Sequence, residues 1–519
     1  MKSPVSQAAL VVIAVVVLAF AFQGRRGIWQ PDEGYYAGTA VTMMHRNTLM
    51  IPYLGEKEIF LDKPPLIYWG ILAGTQLFGQ TEFAARLFHA VSFALTCAAV
   101  GVLAWSLFRD RRLAWASALV YATMPVPLIA AHFITPDGLL VLWTTLAGLC
   151  FWKSTQASGR AAGLWKVLLA GAVGLGFLAK GPAVLIPCLA MFVFLLVRRR
   201  VLGYFWSGWS LAALLTFCLI GLGWYAYISW RLPGALAYFF DNQIWGRLVS
   251  EKYRRNPGLT GALIYVPVLL AGALPWSAAW FDWRRLHNSI LSKRWWQHLP
   301  DNPVQLWLVC WIGIPMLILT LASSKLGLYA LPVFPPLAII SARAWGFDAR
   351  ADLADTPSGP RRISPRAGVL VGIWIALLLG GRLALASYPT PKDMRALWAA
   401  IQDRLPSLEY EICTVDDRAD GLLFYAPITL EHLTDEDRAY PTYMGTEHLL
   451  VEMQEMADEG ERIALLVQDD HERLETCTLL RRANVPYRII SLPGHRSLIV
   501  PEVRPSLHPD RTAVPADNP

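Results

Sequence analysis

Eleven apolar stretches fall near residues 5–22, 83–108, 113–131, 138–153, 164–180, 182–197, 205–229, 259–280, 303–322, 328–345 and 367–387. Crossing the roughly 30 Å hydrocarbon layer of a bilayer takes about 20 helical residues. Inside lipid the backbone can satisfy its polar groups only in helices or closed barrels, and continuous apolar runs of this length are helical. Hydrophobic residues make up 55% of the 519 and charged residues 16%, with mean hydropathy +0.38; a soluble domain carries about a quarter charged residues. The expected fold class is therefore a mostly α polytopic membrane protein. The runs at 113–153 and 164–197 read as tight hairpins, and two further short helices would extend the expected number of transmembrane helices from about 11 to 13. The first run lacks a small-residue cleavage site in Ala-Phe-Gln-Gly-Arg-Arg and is read as an uncleaved first span.

Lysine and arginine between the runs set the orientation. With the N-terminus inside, the cytoplasmic connections carry Arg109, Arg111 and Arg112; Lys153, Arg160 and Lys166; Arg198 to Arg200; Arg284, Arg285, Lys293 and Arg294; and Arg361, Arg362 and Arg366. That places the 24–82 loop, the 230–258 loop, Lys325 and the tail outside. The outer loops nevertheless hold Arg25, Arg26, Lys57, Lys63, Arg247, Lys252, Arg254 and Arg255. Basic residues on the disfavoured face point to an anionic ligand, with interfacial contact to lipid phosphates as the plainer alternative.

The net charge of +7 conceals two opposite halves, because 24 of the 39 acidic residues but only 13 of the 46 basic ones lie beyond Ser387. An acidic, less apolar tail is expected to be a small extracytoplasmic α/β domain over 388–505, following a transmembrane domain over 1–387 and followed by a disordered tail over 506–519. Within it, Glu411-Ile-Cys-Thr-Val, Arg462 to Val467, Tyr487 to Leu492 and Ser497 to Val500 read as strands, with helical spacing over Glu447–Met456 and Glu472–Arg481. Cys413 and Cys477 in this tail are compatible with a disulfide or with two buried thiols. The other five cysteines lie in apolar runs as small buried residues.

The first long loop is dense in chemistry: Asp32-Glu33 beside Trp29 and Pro31, Tyr36 close behind, then Asp62-Lys63-Pro64-Pro65. Paired carboxylates can take a proton, orient an acceptor or hold a divalent cation; Asp32 can equally serve as a helix N-cap. The double proline stiffens an extended segment behind Lys63, whose ammonium suits a phosphate oxygen. The plainer alternative for Lys63 is an ion pair with Asp62, although adjacent side chains rarely face each other usefully. Asp137 sits in Thr-Pro-Asp-Gly at an outer turn, where a buried carboxylate is costly, although Pro-Asp-Gly is also ordinary turn chemistry. Lys325 and Tyr329 put a cation and a phenol at the outer end of a later span, and Arg247 and Arg254 add guanidinium groups able to grip phosphate. Lys180, in Ala-Lys-Gly-Pro, reads as a lysine that snorkels to the interface.

These elements, in this order over about 1–345, resemble the bacterial polyprenyl-phosphate-dependent glycosyltransferases of the GT-C fold, specifically those similar to the lipid A aminoarabinose transferase and the protein O-mannosyltransferases. The resemblance implies a catalytic Asp32, with Glu33 beside it and Asp137 as a second acidic residue. It implies donor-phosphate contacts from Lys63, Arg247, Arg254 and Lys325, and a substrate pocket including Tyr36, Asp62 and Tyr329. Phe60 stands where the aminoarabinose transferases tend to have tyrosine, and Asn242-Gln243 where they have Glu-His, which bears on the sugar or acceptor. The implied partners are a polyprenyl-phosphate sugar donor, a lipid A-like glycolipid or a protein acceptor, and membrane lipids, with no nucleic acid; the implied place is the bacterial inner membrane, with a periplasmic active site.

A transporter or flippase of a lipid-linked anion would also bury charges, but near the midplane on broken helices and often in internal repeats. Here the ionisable residues gather at one face, in long loops, and no repeat is visible. A non-catalytic scaffold would not require acidic sites aligned with cations.

Overall fold

In the computed structural model helices occupy the apolar runs, some as single long helices and others, such as 113–131 and 259–280, broken into shorter pieces. The structure describes the chain except residues 1–3, 56–57, 242–254, 282–291, 348–364, 406–409, 416–417, 427–429, 435–446, 459–461, 469 and 503–519. Arg247, Arg254, Lys57, Lys252, Arg284, Arg285, Arg361, Arg362, the Asn242-Gln243 pair and the 506–519 tail therefore lie outside the described residues. The chain divides into two units, one formed by residues 1–26 and 62–388, the other by 27–61 and 389–519.

The first unit is a membrane bundle. It opens with α1 (Pro4–Phe20); its next helices are α3 (Leu66–Phe78), α4 (Glu82–Phe108), α5 (Arg111–Ala122), α6 (Pro125–Ala130), α7 (Pro136–Gln156), α8 (Gly159–Lys180) and α9 (Leu185–Val197). Among the described residues six helical segments are long and apolar enough to cross a membrane, including Glu82–Phe108, Gly159–Val197 and Pro303–Leu321. Local chemistry fixes their ends: the Thr81 hydroxyl accepts from Ala84 N at the start of α4, and a carboxylate oxygen of Asp110 accepts from Arg112 N and Leu113 N at the start of α5, each cap satisfying an otherwise orphaned amide. The 24–82 stretch, expected as one loop, contributes α3 to this unit. Its helical start follows Pro65, since proline lacks an N–H and cannot extend a helix backwards.

Two rims result. At one end Arg109 and Lys153 face the Trp105 ring, Ser154 bonds the Tyr204 hydroxyl at 2.7 Å, Arg198 donates to Pro300 O, and Arg343 covers Phe108. These belong to the set expected on the cytoplasmic side or border it. Between the rims Phe151, Phe194, Trp307 and Trp311 interlock. Gly148 lets α7 approach Trp311, since a Cβ there would stand 2.1 Å from the ring.

The second unit holds a six-stranded sheet in the order β5-β4-β3-β6-β8-β7, with β3 (Tyr410–Val415), β4 (Leu430–Thr434), β5 (Glu447–His448), β6 (Arg462–Val467), β7 (Tyr487–Leu492) and β8 (Arg496–Pro501). β5, β4, β3 and β6 run parallel, while β8 pairs antiparallel with both β6 and β7. Helices Met394–Arg404, Leu449–Asp458 and Asp470–Arg482 accompany it. Cys413 and Cys477 are free, buried thiols. Residues 27–61 also fold here, as α2 (Asp32–His45) and the hairpin β1 (Tyr53–Leu54) and β2 (Glu58–Ile59). α2 packs on a 3-10 turn at Asp420–Phe424: a Cβ at Gly38 would meet Asp420 O at 2.5 Å, and one at Gly34 would meet Gly421 N at 2.9 Å.

Candidate active site

Two sets of the sequence-expected residues can be built up, one in each unit. In the membrane unit, α7 and α8 are joined by a two-residue link and run antiparallel, which brings the start of α7 to the end of α8. Asp137 occupies the first turn of α7, behind Pro136, so Pro-Asp-Gly opens a helix here rather than closing a turn. Its carboxylate lies 2.5 Å from Lys180 Nζ, with the side chains 9% and 13% exposed. The same ammonium stands 4.3 Å from the centre of the Tyr329 ring. Lys180, read from the sequence as a snorkelling residue, is thus a half-buried partner of two expected site residues. The signal that could have found it is the cost of a buried carboxylate: Asp137 needs a cation, and Lys180 is the lysine the hairpin returns to its level.

Lys325 is 1% exposed. Its backbone N–H donates to Arg255 O at 2.8 Å, Asn256 donates to its carbonyl at 3.0 Å, and its ammonium donates to Ala322 O at 2.5 Å. Tyr329 follows one 3-10 turn later. Asp62 and Lys63 pair with each other, Lys63 also donating to Asp62 O at 3.1 Å. The expectation that adjacent side chains would not meet fails because the segment is a turn, not an extended strand, and a turn lets the lysine fold back. Arg25, assigned from the sequence to an anionic ligand, donates to Ser387 Oγ at 3.4 Å, and Arg26 donates to His132 O at 2.8 Å and covers the Phe133 ring.

In the second unit the remaining residues ride on α2. Asp32 is the first residue of the helix and exposed; Pro31 takes the cap position with no side-chain bond, so Asp32 is not an N-cap. A carboxylate in the first turn is favoured by the helix dipole. Glu33 is buried, and its carboxylate accepts from Trp29 N at 3.0 Å. Tyr36 is buried one turn on, and Tyr35 stacks on Phe60 at 5.6 Å.

Below α2 lies a polar cluster that the sequence did not disclose. Asp420, fully buried, accepts from Gln30 Nε2 at 2.9 Å and from His432 Nε2 at 2.8 Å. Arg418 donates to Glu58 at 3.0 Å and lies 3.9 Å from Asp420. Burial alone would raise the Asp420 carboxyl, but His432, Arg418 and Gln30 outweigh it and hold it below the usual carboxylate value. Burial would lower the Arg418 guanidinium, and Asp420, Glu58 and Tyr35 instead push it up. Among the described residues no group of three His, Cys, Asp or Glu side chains has the geometry of a metal site.

Residues 6–239 match the family model described as dolichyl-phosphate-mannose-protein mannosyltransferase. Over that stretch, and in the order of its motifs, the chain is similar to the polyprenyl-phosphate-dependent glycosyltransferases. More particularly, it is 28% identical over 331 residues to the undecaprenyl phosphate-alpha-4-amino-4-deoxy-L-arabinose arabinosyl transferase of Photorhabdus laumondii, covering 63% of this chain and 57% of that one. It is 32% identical to the protein of the same name from Erwinia tasmaniensis, over 61% of this chain and 55% of the other. The chain thus spans little more than half the length of these curated relatives. In fold it is similar to the crystal structure of ArnT from Cupriavidus metallidurans bound to undecaprenyl phosphate, with a TM-score of 0.76 at 20% identity, over 96% of this chain and 99% of that one.

Proposed function

We propose that this chain is an inverting glycosyltransferase that moves a sugar from a polyprenyl phosphate, undecaprenyl phosphate, to a lipid A-type glycolipid at the outer face of the bacterial inner membrane. The observation that carries the reading is its sequence likeness to transferases named for undecaprenyl phosphate-linked aminoarabinose. In this reading the eleven apolar runs cross the bilayer with the N-terminus inside. The sorting of Arg109, Lys153 and Arg198 to one rim of the bundle, and of Asp137, Lys180 and Tyr329 to a separate cluster, supports that orientation.

An acceptor oxygen attacks the anomeric carbon opposite the phosphate, the bond to the phosphate oxygen breaks, and configuration inverts. Lys63, Arg247, Arg254 and Lys325 balance the charge on the departing phosphate, the electrostatic contribution that commonly dominates catalysis. Asp32, exposed at the head of α2, orients an acceptor phosphate or takes the proton of an acceptor hydroxyl. Glu33, bonded to Trp29 N, braces that turn, and Tyr36 contributes to the substrate pocket. Asp137 is held by Lys180, with Tyr329 against the same ammonium. The match to the mannosyltransferase family model favours, as a second reading, transfer to a hydroxyl of a polypeptide.

The test is transfer in membranes followed by mass spectrometry of lipid A and of exported glycoproteins, with and without the protein. Added sugar on lipid A supports the first reading, and on protein the second. Asp32→Asn and Lys63→Ala are each expected to abolish transfer while the detergent-extracted protein keeps its size-exclusion profile; full turnover in Asp32→Asn would remove Asp32 from the chemistry.

A further inference from the structure

Asp420 is a fully buried carboxylate with no access to a substrate, yet both of its oxygens are engaged. Oδ2 accepts from Gln30 Nε2 at 2.9 Å and Oδ1 from His432 Nε2 at 2.8 Å. Since an ionised carboxylate only accepts, Nε2 of that imidazole donates to it, and Nδ1 meets Thr414 Oγ1 at 2.5 Å. His432 belongs to β4 and Thr414 to β3, so the far end of this chain of side chains is anchored in two paired strands of the sheet. Its near end is Gln30, two residues before Asp32. The Gln30 amide is gripped at both atoms, because Oε1 also accepts from Gly421 N at 3.2 Å, and its backbone N–H donates to Lys392 O at 2.9 Å.

Gly34 and Gly38, one helical turn apart on α2, let the backbone of Asp420 and Gly421 come within what would be 2.5–2.9 Å of a Cβ. The helix is therefore located by backbone approach on one face and by the Gln30 amide at its start. Arg418 joins the same cluster to β2 through Glu58 and lies over the Tyr35 ring at 5.4 Å, adding a second tether on the following residues of the loop. A buried ionic cluster is commonly no more stabilising than apolar side chains of the same volume. Stability therefore does not explain why these groups are charged; directional bonds that fix one rotation and one height of α2 do.

We propose that Gln30 and Asp420 are positioning residues: through the Gln30 amide, the Asp420–His432 pair on the sheet sets the place of the first turn of α2, and hence of the Asp32 and Glu33 carboxylates. The inference rests on the reading of Asp32 as a reacting-site group, so the experiment has one arm that does not depend on activity.

In that arm the full-length protein in detergent is followed by hydrogen–deuterium exchange at the amides of residues 32–38. Gln30→Ala and Asp420→Asn each raise exchange there, while the double variant Gln30→Glu/Asp420→Asn, which exchanges amide and carboxylate across the same bond, restores protection. In the second arm, transfer is measured with undecaprenyl-phosphate-linked 4-amino-4-deoxy-L-arabinose and lipid A. Gln30→Ala lowers kcat about tenfold to a hundredfold, the range that misplacement by about 1 Å produces, with donor KM unchanged, and the double variant recovers most of it. Unchanged exchange in both single variants overturns the proposal whatever the activity. So does raised exchange with wild-type kcat in a protein that Asp32→Asn inactivates. Full transfer by Asp32→Asn would instead remove the reading of Asp32, leaving the exchange result to decide whether the sheet fixes the turn.

Discussion

Lys180 Nζ lies 2.5 Å from a carboxylate oxygen of Asp137 and 4.3 Å from the centre of the Tyr329 ring, so one ammonium joins the start of α7, the end of α8 and the turn that follows Lys325. Both members of the ion pair are largely buried. Removing one leaves the other charge without compensation, which costs about 3–5 kcal/mol where the pair is buried. Lys180→Ala is expected to lower the thermal unfolding midpoint in detergent by several degrees, and Lys180→Arg by less. The double variant Asp137→Ala/Lys180→Ala should be more stable than the sum of its single changes predicts. Additive losses would mean that the contact contributes nothing as a pair.

Gly148 faces the indole of Trp311 with no room for a side chain, a Cβ falling 2.1 Å from the ring. Trp311 is itself fixed, its Nε1 donating to Pro332 O at 3.1 Å and its ring tilted against that of Trp307 at 4.9 Å. Overpacking of this kind costs about 1–3 kcal/mol. Gly148→Val should reduce the unfolding midpoint and blue-shift or broaden the tryptophan emission, whereas Gly313→Ala, with open space around its Cβ position inside a helix, should leave the emission unchanged and not lower the midpoint.

The membrane bundle was legible because each span needs its own apolar run: α1, α4, α8 and the helix Pro303–Leu321 begin and end within a few residues of the runs, apart from α8, which starts five residues early at Gly159. The tail's strands β3, β6 and β8 were legible for the same reason, their burial being written as short apolar stretches, and β7 was legible from the β-branched Ile489 and Ile490 although it is largely exposed. β4 was missed because Leu430-Glu-His-Leu-Thr carries a glutamate and a histidine that the fold uses inside. α3 was hidden in the loop by its length, 13 residues being too short to read as a span. The site was legible as residue types but not as partners. Lys180 and Asp137 are 43 positions apart, and Gln30 and Asp420 are 390 apart; no local spacing encodes such pairs. The loop that carries Asp32 folds with residues nearly 400 positions later, which nothing in its own sequence announces.

The second unit is expected to lose stability in acid through Asp420. Its folded carboxyl is held below the ordinary value by His432, Arg418 and Gln30 despite burial, so between the folded and the unfolded value it binds fewer protons folded than unfolded. Its contribution is fully present above the unfolded value of about 3.9 and is lost as pH falls through the lower folded value. Near-neutral titration should therefore leave the unit's unfolding midpoint flat with respect to this group, with a decline beginning below about pH 4. Asp420→Asn should flatten that acid limb while lowering stability at pH 7. An acid limb unchanged in Asp420→Asn would exclude Asp420 as its origin.

Lys63 is paired with its own neighbour, Asp62, and this has a consequence for ligand binding. If Lys63 grips the donor phosphate, a phosphate oxygen and the Asp62 carboxylate compete for the same ammonium. The carboxylate then acts as an internal stand-in for the anion and weakens its binding by about the strength of a partly exposed pair, in the range 0.2–1 kcal/mol or somewhat more. Asp62→Asn removes the competing charge and its repulsion of the phosphate, so undecaprenyl phosphate should bind more tightly, by up to about fivefold. Lys63→Ala should weaken it, and the double variant should resemble Lys63→Ala, because without the ammonium there is nothing to release. Calorimetry on the purified protein in detergent separates the cases. Weaker binding in Asp62→Asn would show that this carboxylate orients Lys63 toward the phosphate rather than competing with it.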